Sequence, residues 1–137
     1  MVTLTDASFA SGGDRSPSGL CIFIAGRLVH WASTKQQVTA MSSCEAELDA
    51  AILGVKQAQG VAEALRELDP ETAVVQILNT DSASAIQSMK NVATTWRNRH
   101  FAVRASWMRD FVDRRDIKVE YKLGKELEAD LLTKVID

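Results

Sequence analysis

The sequence is poor in the residues on which many metal, secreted and membrane proteins are built. It has two cysteines and two histidines in 137 residues. Cys21, Cys44, His30 and His100 show no metal-ligand spacing, which argues against a zinc site of thiolates and imidazoles. Two isolated cysteines cannot make a disulfide framework, and they read as buried or half-buried free thiols in a reducing compartment. No stretch is long and apolar enough to span a membrane, and no signal-peptide pattern is visible. Cationic residues do not dominate either: 16 Lys and Arg face 18 Asp and Glu, for a formal charge of −2. A global basic field is therefore excluded, and any contact with nucleic acid must come from a local patch. Aromatics make up only 6%. Trp31, Trp96 and Trp107 are accordingly expected as core or half-buried packing residues.

What is present is strongly patterned. A chain of this length is one domain with room for a real core. It opens almost directly on an apolar run, as a domain cut from a longer protein would. Residues 2–9 read as a strand. Residues 18–25 and 27–34 read as a hairpin around Ala25-Gly26, where glycine supplies the turn. Residues 43–67 carry a helical stripe of Leu48, Ala51, Ile52, Val55, Ala58, Ala62 and Leu65. Ser42 is its N-cap, Glu45 completes a capping box, and Asp69-Pro70 ends it. Residues 73–80 form an apolar run expected as a strand covered on both faces. Helices follow at 82–90 and about 99–114, the second with Phe101, Ala105, Met108 and Val112 on one face. A last strand at 117–122 and a terminal helix at about 126–134 complete the order. The only turn-rich tract is at 11–19. This succession predicts an α/β fold: three antiparallel strands, then crossovers to two more, in a mixed five-stranded sheet flanked by helices.

Four acids occupy suggestive places. Asp6 and Asp81 end strand-like runs, where α/β proteins open into clefts. Glu47 lies in the first turns of the long helix, and Asp130 lies near the C-terminus. Carboxylates that converge from separate elements repel one another unless a cation neutralises them. Oxygen ligands without a Cys/His cluster point to Mg²⁺ or Mn²⁺. Each acid also has a plainer reading. Asp6 can simply open a turn, Asp81 can cap the next helix, and Glu47 and Asp130 can be solvated helix acids. Periodicity does not choose between Glu45 and Glu47, which flank opposite borders of the apolar stripe.

The words around these acids resemble a known family. They are Thr5-Asp6-Ala7-Ser8-Phe9-Ala10 with the run 16–26; Trp31-Ala32-Ser33-Thr34-Lys35-Gln36-Gln37 with Ser42-Ser43-Cys44-Glu45-Ala46-Glu47-Leu48; Thr80-Asp81-Ser82-Ala83-Ser84-Ala85-Ile86 with Arg97-Asn98-Arg99-His100-Phe101; and Val119-Glu120-Tyr121 with Leu127-Glu128-Ala129-Asp130-Leu131. In this order, over nearly the whole chain, they resemble the ribonuclease H domain of copia-like LTR retrotransposon polyproteins.

The resemblance implies the ribonuclease H-like fold over residues 1–137. It also implies Mg²⁺-dependent endonucleolytic hydrolysis of the RNA strand of RNA–DNA hybrids during reverse transcription. Two Mg²⁺ ions, for which Mn²⁺ can substitute, would be held by Asp6, Glu47, Asp81 and Asp130. In that scheme Asp6 is shared, Glu47 and Asp81 serve the leaving-group side, and Asp130 serves the water side. Ala46-Glu47-Leu48 fits the family's word, so the catalytic role falls on Glu47 rather than Glu45. Ser43 and Ser82 are the implied substrate contacts, while Arg97, Arg99 and His100 form the best local basic patch, at a helix start that favours phosphate or is simply solvated; shape and phosphates are read rather than bases. The implied partners are the hybrid and the reverse transcriptase of the same polyprotein, in the cytoplasm or a virus-like particle, with no membrane. Two departures stand out: 122–126 lacks the histidine of cellular relatives, and Ser82-Ala83 replaces a more usual Asn-Gln. A non-catalytic tethering domain and a DNA nuclease of the same superfold remain open.

Overall fold

The computed structural model describes residues 1–10, 14–90 and 99–122. Eight elements follow one another: β1 (Val2–Ala7), β2 (Pro17–Ile24), β3 (Arg27–Lys35), α1 (Ser43–Leu68), β4 (Ile77–Thr80), α2 (Ala83–Lys90), α3 (Arg99–Arg114) and β5 (Lys118–Tyr121). The five strands form one sheet in the order β3-β2-β1-β4-β5. β1, β2 and β3 pair antiparallel, and β4 and β5 run parallel to β1. This is the mixed sheet that the element order predicts. The expected terminal helix lies outside the described residues.

The local chemistry explains each boundary. Ala25 and Gly26 both adopt positive φ, 50° and 78°, the two-residue turn whose twist matches a β-hairpin. β2 therefore stops at Ile24, because Ala25 belongs to the turn. Ser42 caps α1 by accepting the Glu45 N–H at 3.1 Å. α3 ends on a Schellman motif: the Ile117 N–H donates to Val112 O at 3.0 Å and the Asp116 N–H to Asp113 O at 3.3 Å. Asp116 takes the left-handed conformation there, φ 51°, a place where glycine is usual. Ile117, expected in the last strand, is instead the buried residue that closes this cap.

β4 corrects the expectation for 73–80. It begins at Ile77, because Ile77 pairs with Val2 and β1 offers no paired residue before that. Upstream, Gln76 O accepts the Lys118 N–H at 3.1 Å and the terminal amine donates to Val75 O at 2.8 Å, but Val75 is 57% exposed. Nor is the strand buried on both faces: Leu78 and Thr80 are buried, whereas Ile77 and Asn79 are half-buried. Likewise, β1 stops at Ala7 rather than residue 9.

The main core lies between α1, α2, α3 and the parallel strands. Leu48, Ala51, Val55, Leu78, Ala85, Met89, Phe101, Ala105, Met108 and Val112 form it. The predicted stripes of α1 and α3 are thus the buried ones, with Ile52 and Leu65 only half-buried. Where α1 crosses β1 it carries Gly54. A Cβ there would overlap Thr5 Cγ2 and stand 3.3 Å from Thr3 Cγ2, so the close approach of helix and strand requires glycine. The expectation for the tryptophans fails at Trp31, which is 61% exposed on the edge strand β3. An edge strand has a neighbour on one side only, which leaves its large side chains less covered. Trp107 is also partly exposed and stacks on Phe111 with ring centroids 4.9 Å apart.

Candidate metal centre

Asp6 and Asp81 reach the same end of the sheet because their strands are parallel neighbours. Leu4 pairs with Asn79, and two steps further along each strand stand Asp6 and Asp81. α1 supplies the third acid. Its first turns sit against the end of β1 through a patch of small side chains, Ala7, Ala40, Ala46 and Ala50, which allows Glu47 to reach the strand. The result is a cluster: one carboxylate oxygen from each of Asp6, Glu47 and Asp81 lies within 4.8 Å of the others. Asp6 is 3% exposed and Glu47 6%, and Asp81 is half-buried.

The electrostatics of the cluster are unfavourable without a cation. Glu47 Oε1 accepts the Ala7 backbone N–H at 3.3 Å. Its other oxygen, Oε2, is buried and receives no hydrogen bond. Burial, with Asp6 and Asp81 adding repulsion, pushes the Glu47 carboxyl up to about 8 against an ordinary 4.5. A buried carboxylate oxygen with no donor, facing two further acids, suits a hard divalent cation.

The structure separates the two candidate glutamates. Glu45 is as buried as Glu47, at 4%, but points elsewhere. Its Oε1 pairs with Arg104 of α3, and its Oε2 accepts the Met41 N–H at 3.1 Å. The capping box is therefore modified, since the glutamate reaches back to Met41 rather than to Ser42. Asp49, one turn on, lies 3.2 Å from Arg104 Nε. Burial, opposed by Arg104 and reinforced by Glu45, raises the Asp49 carboxyl to about 6. The sequence reading missed Arg104 and Asp49. One signal was available: Glu45 and Asp49 are a like-charge i,i+4 pair, which calls for a cation from a neighbouring element.

The other expected site residues are scattered. The cap of α2 is Ser82, whose Oγ accepts the Ala85 N–H at 3.2 Å, so Asp81 is not needed for that task. The Ser82 hydroxyl also meets Ser84 Oγ at 3.2 Å. Ser43 is exposed at the start of α1, and His100 is exposed near the start of α3. Arg99 is the first residue of α3, with its side chain outside the described part. Arg97 and Asp130 lie outside the described residues. Both cysteines are free thiols, Cys21 buried and Cys44 half-buried. No described helix is long and apolar enough to cross a membrane.

No protein-family model matches the chain. Curated relatives do. The chain is 34% identical over 134 residues, 96% of its length, to the retrovirus-related Pol polyprotein from transposon TNT 1-94 of Nicotiana tabacum. It is 29% identical over 136 residues, 98% of its length, to the transposon Ty1-NL2 Gag-Pol polyprotein of Saccharomyces cerevisiae. It spans 10% and 8% of these relatives. Among solved structures it is similar to LC11-RNase H1, isolated from compost by a metagenomic approach. The TM-score is 0.75 at 18% identity, over 96% of this chain and 90% of that one. The same enzyme crystallised with an RNA/DNA hybrid gives 0.70 at 15% identity, over 96% and 91%. The prototype foamy virus protease–reverse transcriptase gives 0.61 at 14% identity, over 99% of this chain and 21% of that one.

The fold is that of ribonuclease H, with a carboxylate cluster at one end of its two central parallel strands. More particularly, its relatives are the Pol and Gag-Pol polyproteins of copia-type LTR retrotransposons, of which the chain matches one short segment along nearly its whole length.

Proposed function

We propose that residues 1–137 are a divalent-metal-dependent ribonuclease H domain that hydrolyses the RNA strand of RNA–DNA hybrids during reverse transcription. The observation that carries this is the convergence of Asp6, Glu47 and Asp81 within 4.8 Å, with the buried Glu47 Oε2 receiving no donor. Asp6, Glu47 and Asp81 would hold Mg²⁺ or Mn²⁺, joined by Asp130 as the resemblance implies. Bound there, divalent cations supply positive charge to the scissile phosphate and acidify a bound water.

The chain's own residues have clear tasks. Ala7 N–H holds Glu47 Oε1, which anchors that carboxylate beside the end of β1. Parallel pairing of β1 and β4 keeps Asp6 and Asp81 level. Ser43, Ser82, Arg97, Arg99 and His100 are proposed to position the hybrid, with the two arginines meeting phosphates. Support also comes from the likeness to an enzyme crystallised with an RNA/DNA hybrid. The fitting partner is the reverse transcriptase of the same polyprotein, and the fitting setting is intracellular.

The test is to incubate the purified chain with a labelled RNA–DNA hybrid, an RNA duplex and a four-way DNA junction, each with Mg²⁺ and with EDTA. Cleavage of the hybrid's RNA strand alone, abolished by EDTA, is the expected result. Cleavage of the junction makes it a DNA nuclease, and no cleavage of any substrate makes it a tethering domain.

A further inference from the structure

The acids in the first two turns of α1 alternate: Glu45, Glu47 and Asp49. On a helix this spacing puts Glu45 and Asp49 on one face and Glu47 on another. Glu47 joins the cluster. Glu45 and Asp49 form a like-charge pair that Arg104 of α3 bridges, touching Glu45 Oε1 and lying 3.2 Å from Asp49 Oδ1. The Asp49 approach is ionic, since Arg104 Nε makes no aligned hydrogen bond.

Three successive residues at the start of α1, Glu45, Ala46 and Glu47, are tied from outside the helix. Glu45 takes the Met41 N–H at 3.1 Å and meets Arg104. Ala46 O accepts Gln36 Nε2 at 2.9 Å. Glu47 takes the Ala7 N–H at 3.3 Å. The ties come from β1, from Gln36 just past β3, from Met41 ahead of the helix and from α3, and only the last is an ion pair. Apolar packing already joins α1 to α3 through Leu48, Ala105 and Met108. A charged clamp at the same interface is therefore poorly explained by adhesion alone, because desolvation offsets much of a buried ion pair's gain.

We propose that Arg104 is a positioning residue for the metal centre: by bridging Glu45 and Asp49 it fixes the rotation of the first two turns of α1, and so the place of Glu47 relative to Asp6 and Asp81. This rests on the function proposed above. Without Arg104, Glu45 and Asp49 repel each other half out of water. Turning the helix end toward solvent relieves them and carries Glu47 away from β1.

The sign of the effect is diagnostic. As a mere charge, Arg104 would weaken Mg²⁺ binding, so its loss would tighten binding. As a positioning residue, it favours binding, so its loss weakens it. The experiment is calorimetric titration of Mg²⁺ into the full chain without nucleic acid, with hybrid cleavage followed in parallel. Wild type, Arg104→Met, Arg104→Lys and Arg114→Met are compared, the last removing an exposed α3 arginine that pairs with Asp110.

Arg104→Met should raise the Mg²⁺ dissociation constant about tenfold or more, the range seen when groups that orient metal ligands are removed. It should also lower kcat at limiting Mg²⁺ with little change in KM for the hybrid. Arg104→Lys, which keeps the charge but not the fork, should fall between Met and wild type, and Arg114→Met should match wild type. Unchanged or tighter Mg²⁺ binding in Arg104→Met, even with a lowered melting temperature, overturns the proposal. So does a raised KM with unchanged Mg²⁺ affinity, which would make Arg104 a phosphate contact. Failure of wild type itself to bind Mg²⁺ would sink the underlying function, and is read separately from the variants.

Discussion

Asp6 on β1 and Asp81, one residue past β4, each follow by two positions the paired Leu4 and Asn79 of those neighbouring parallel strands. Their proximity is a property of backbone register, not of side-chain choice. A one-residue slip between β1 and β4 would turn one carboxylate to the other face of the sheet. The sheet thus sets the Asp6–Asp81 pair, α1 brings Glu47 to it, and the repulsion of the three is borne by the fold.

Relieving that repulsion should stabilise the metal-free protein. Asp6→Asn or Asp81→Asn removes a charge from a cluster confined within 4.8 Å. Each should raise the melting temperature in EDTA, by about 4 °C for every kcal/mol relieved, and should lose most Mg²⁺-induced stabilisation and most cleavage. Thermal denaturation with and without Mg²⁺ checks this. Wild-type cleavage by either variant would contradict the ligand assignment.

Glu47 gives a pH signature. Its carboxyl titrates at about 8 when folded, against an ordinary 4.5. Between these values the folded protein keeps a proton that the unfolded chain has released. Stability is therefore greatest below 4.5 and is lost as pH rises toward 8, by at most about 1.4 kcal/mol per pH unit. Asp49 adds a similar loss between 3.8 and about 6. Urea denaturation in EDTA should show a decline from pH 6 to 8, and Glu47→Gln should flatten it. Mg²⁺ competes with that proton, so its affinity should rise across the same window.

Gly54→Ala tests packing against propensity. Alanine favours the helix by about 1 kcal/mol, yet its Cβ would overlap Thr5 Cγ2. Overpacking of this kind costs about 1–3 kcal/mol. Net destabilisation is expected, with Mg²⁺ affinity also reduced because α1 carries Glu47 away from β1. A more stable variant would show that helix and strand part without cost.

At the end of α3 the sign reverses. Asp116 holds φ 51° in a Schellman motif, where glycine is the unstrained choice. Asp116→Gly should stabilise the protein by about 1 kcal/mol without altering cleavage. Chemical denaturation of the variant measures this.

Hybrid binding should depend on the start of α3. Arg97→Ala with Arg99→Ala should raise KM, spare kcat, and make the salt dependence of binding shallower by about one log–log unit per lost phosphate contact. If both are unchanged, the basic residues to test next are Lys35, Lys122 and Lys125.

The mixed five-stranded sheet, the hairpin and the stripes of α1 and α3 were legible in the sequence, because turn residues, capping residues and periodicity agree there. Other features depend on distant partners. The true start of β4 is fixed by where β1 begins, which the apolar run at 73–80 does not encode. Trp31 was misjudged because its exposure follows from β3 being an edge. Periodicity left Glu45 and Glu47 undecided, and the structure divides them through Arg104, 59 positions away. Asp81 and Ser82 both suit an N-cap, and only the hydrogen bond to Ala85 shows which one serves.

The sheet order also dictates a schedule of assembly. β1 is first in the chain yet central in the sheet, with β2 on one side and β4 on the other. The β1–β2–β3 meander closes through short connections and can form early. The opposite edge of β1 stays open until Ile77–Thr80 has been made, which is when Asp81 arrives as well. On a ribosome, that edge of β1 therefore stays unpaired until about 70 further residues have been made. Within that interval the three-acid cluster is incomplete, and α1 can already cover one face of the strand.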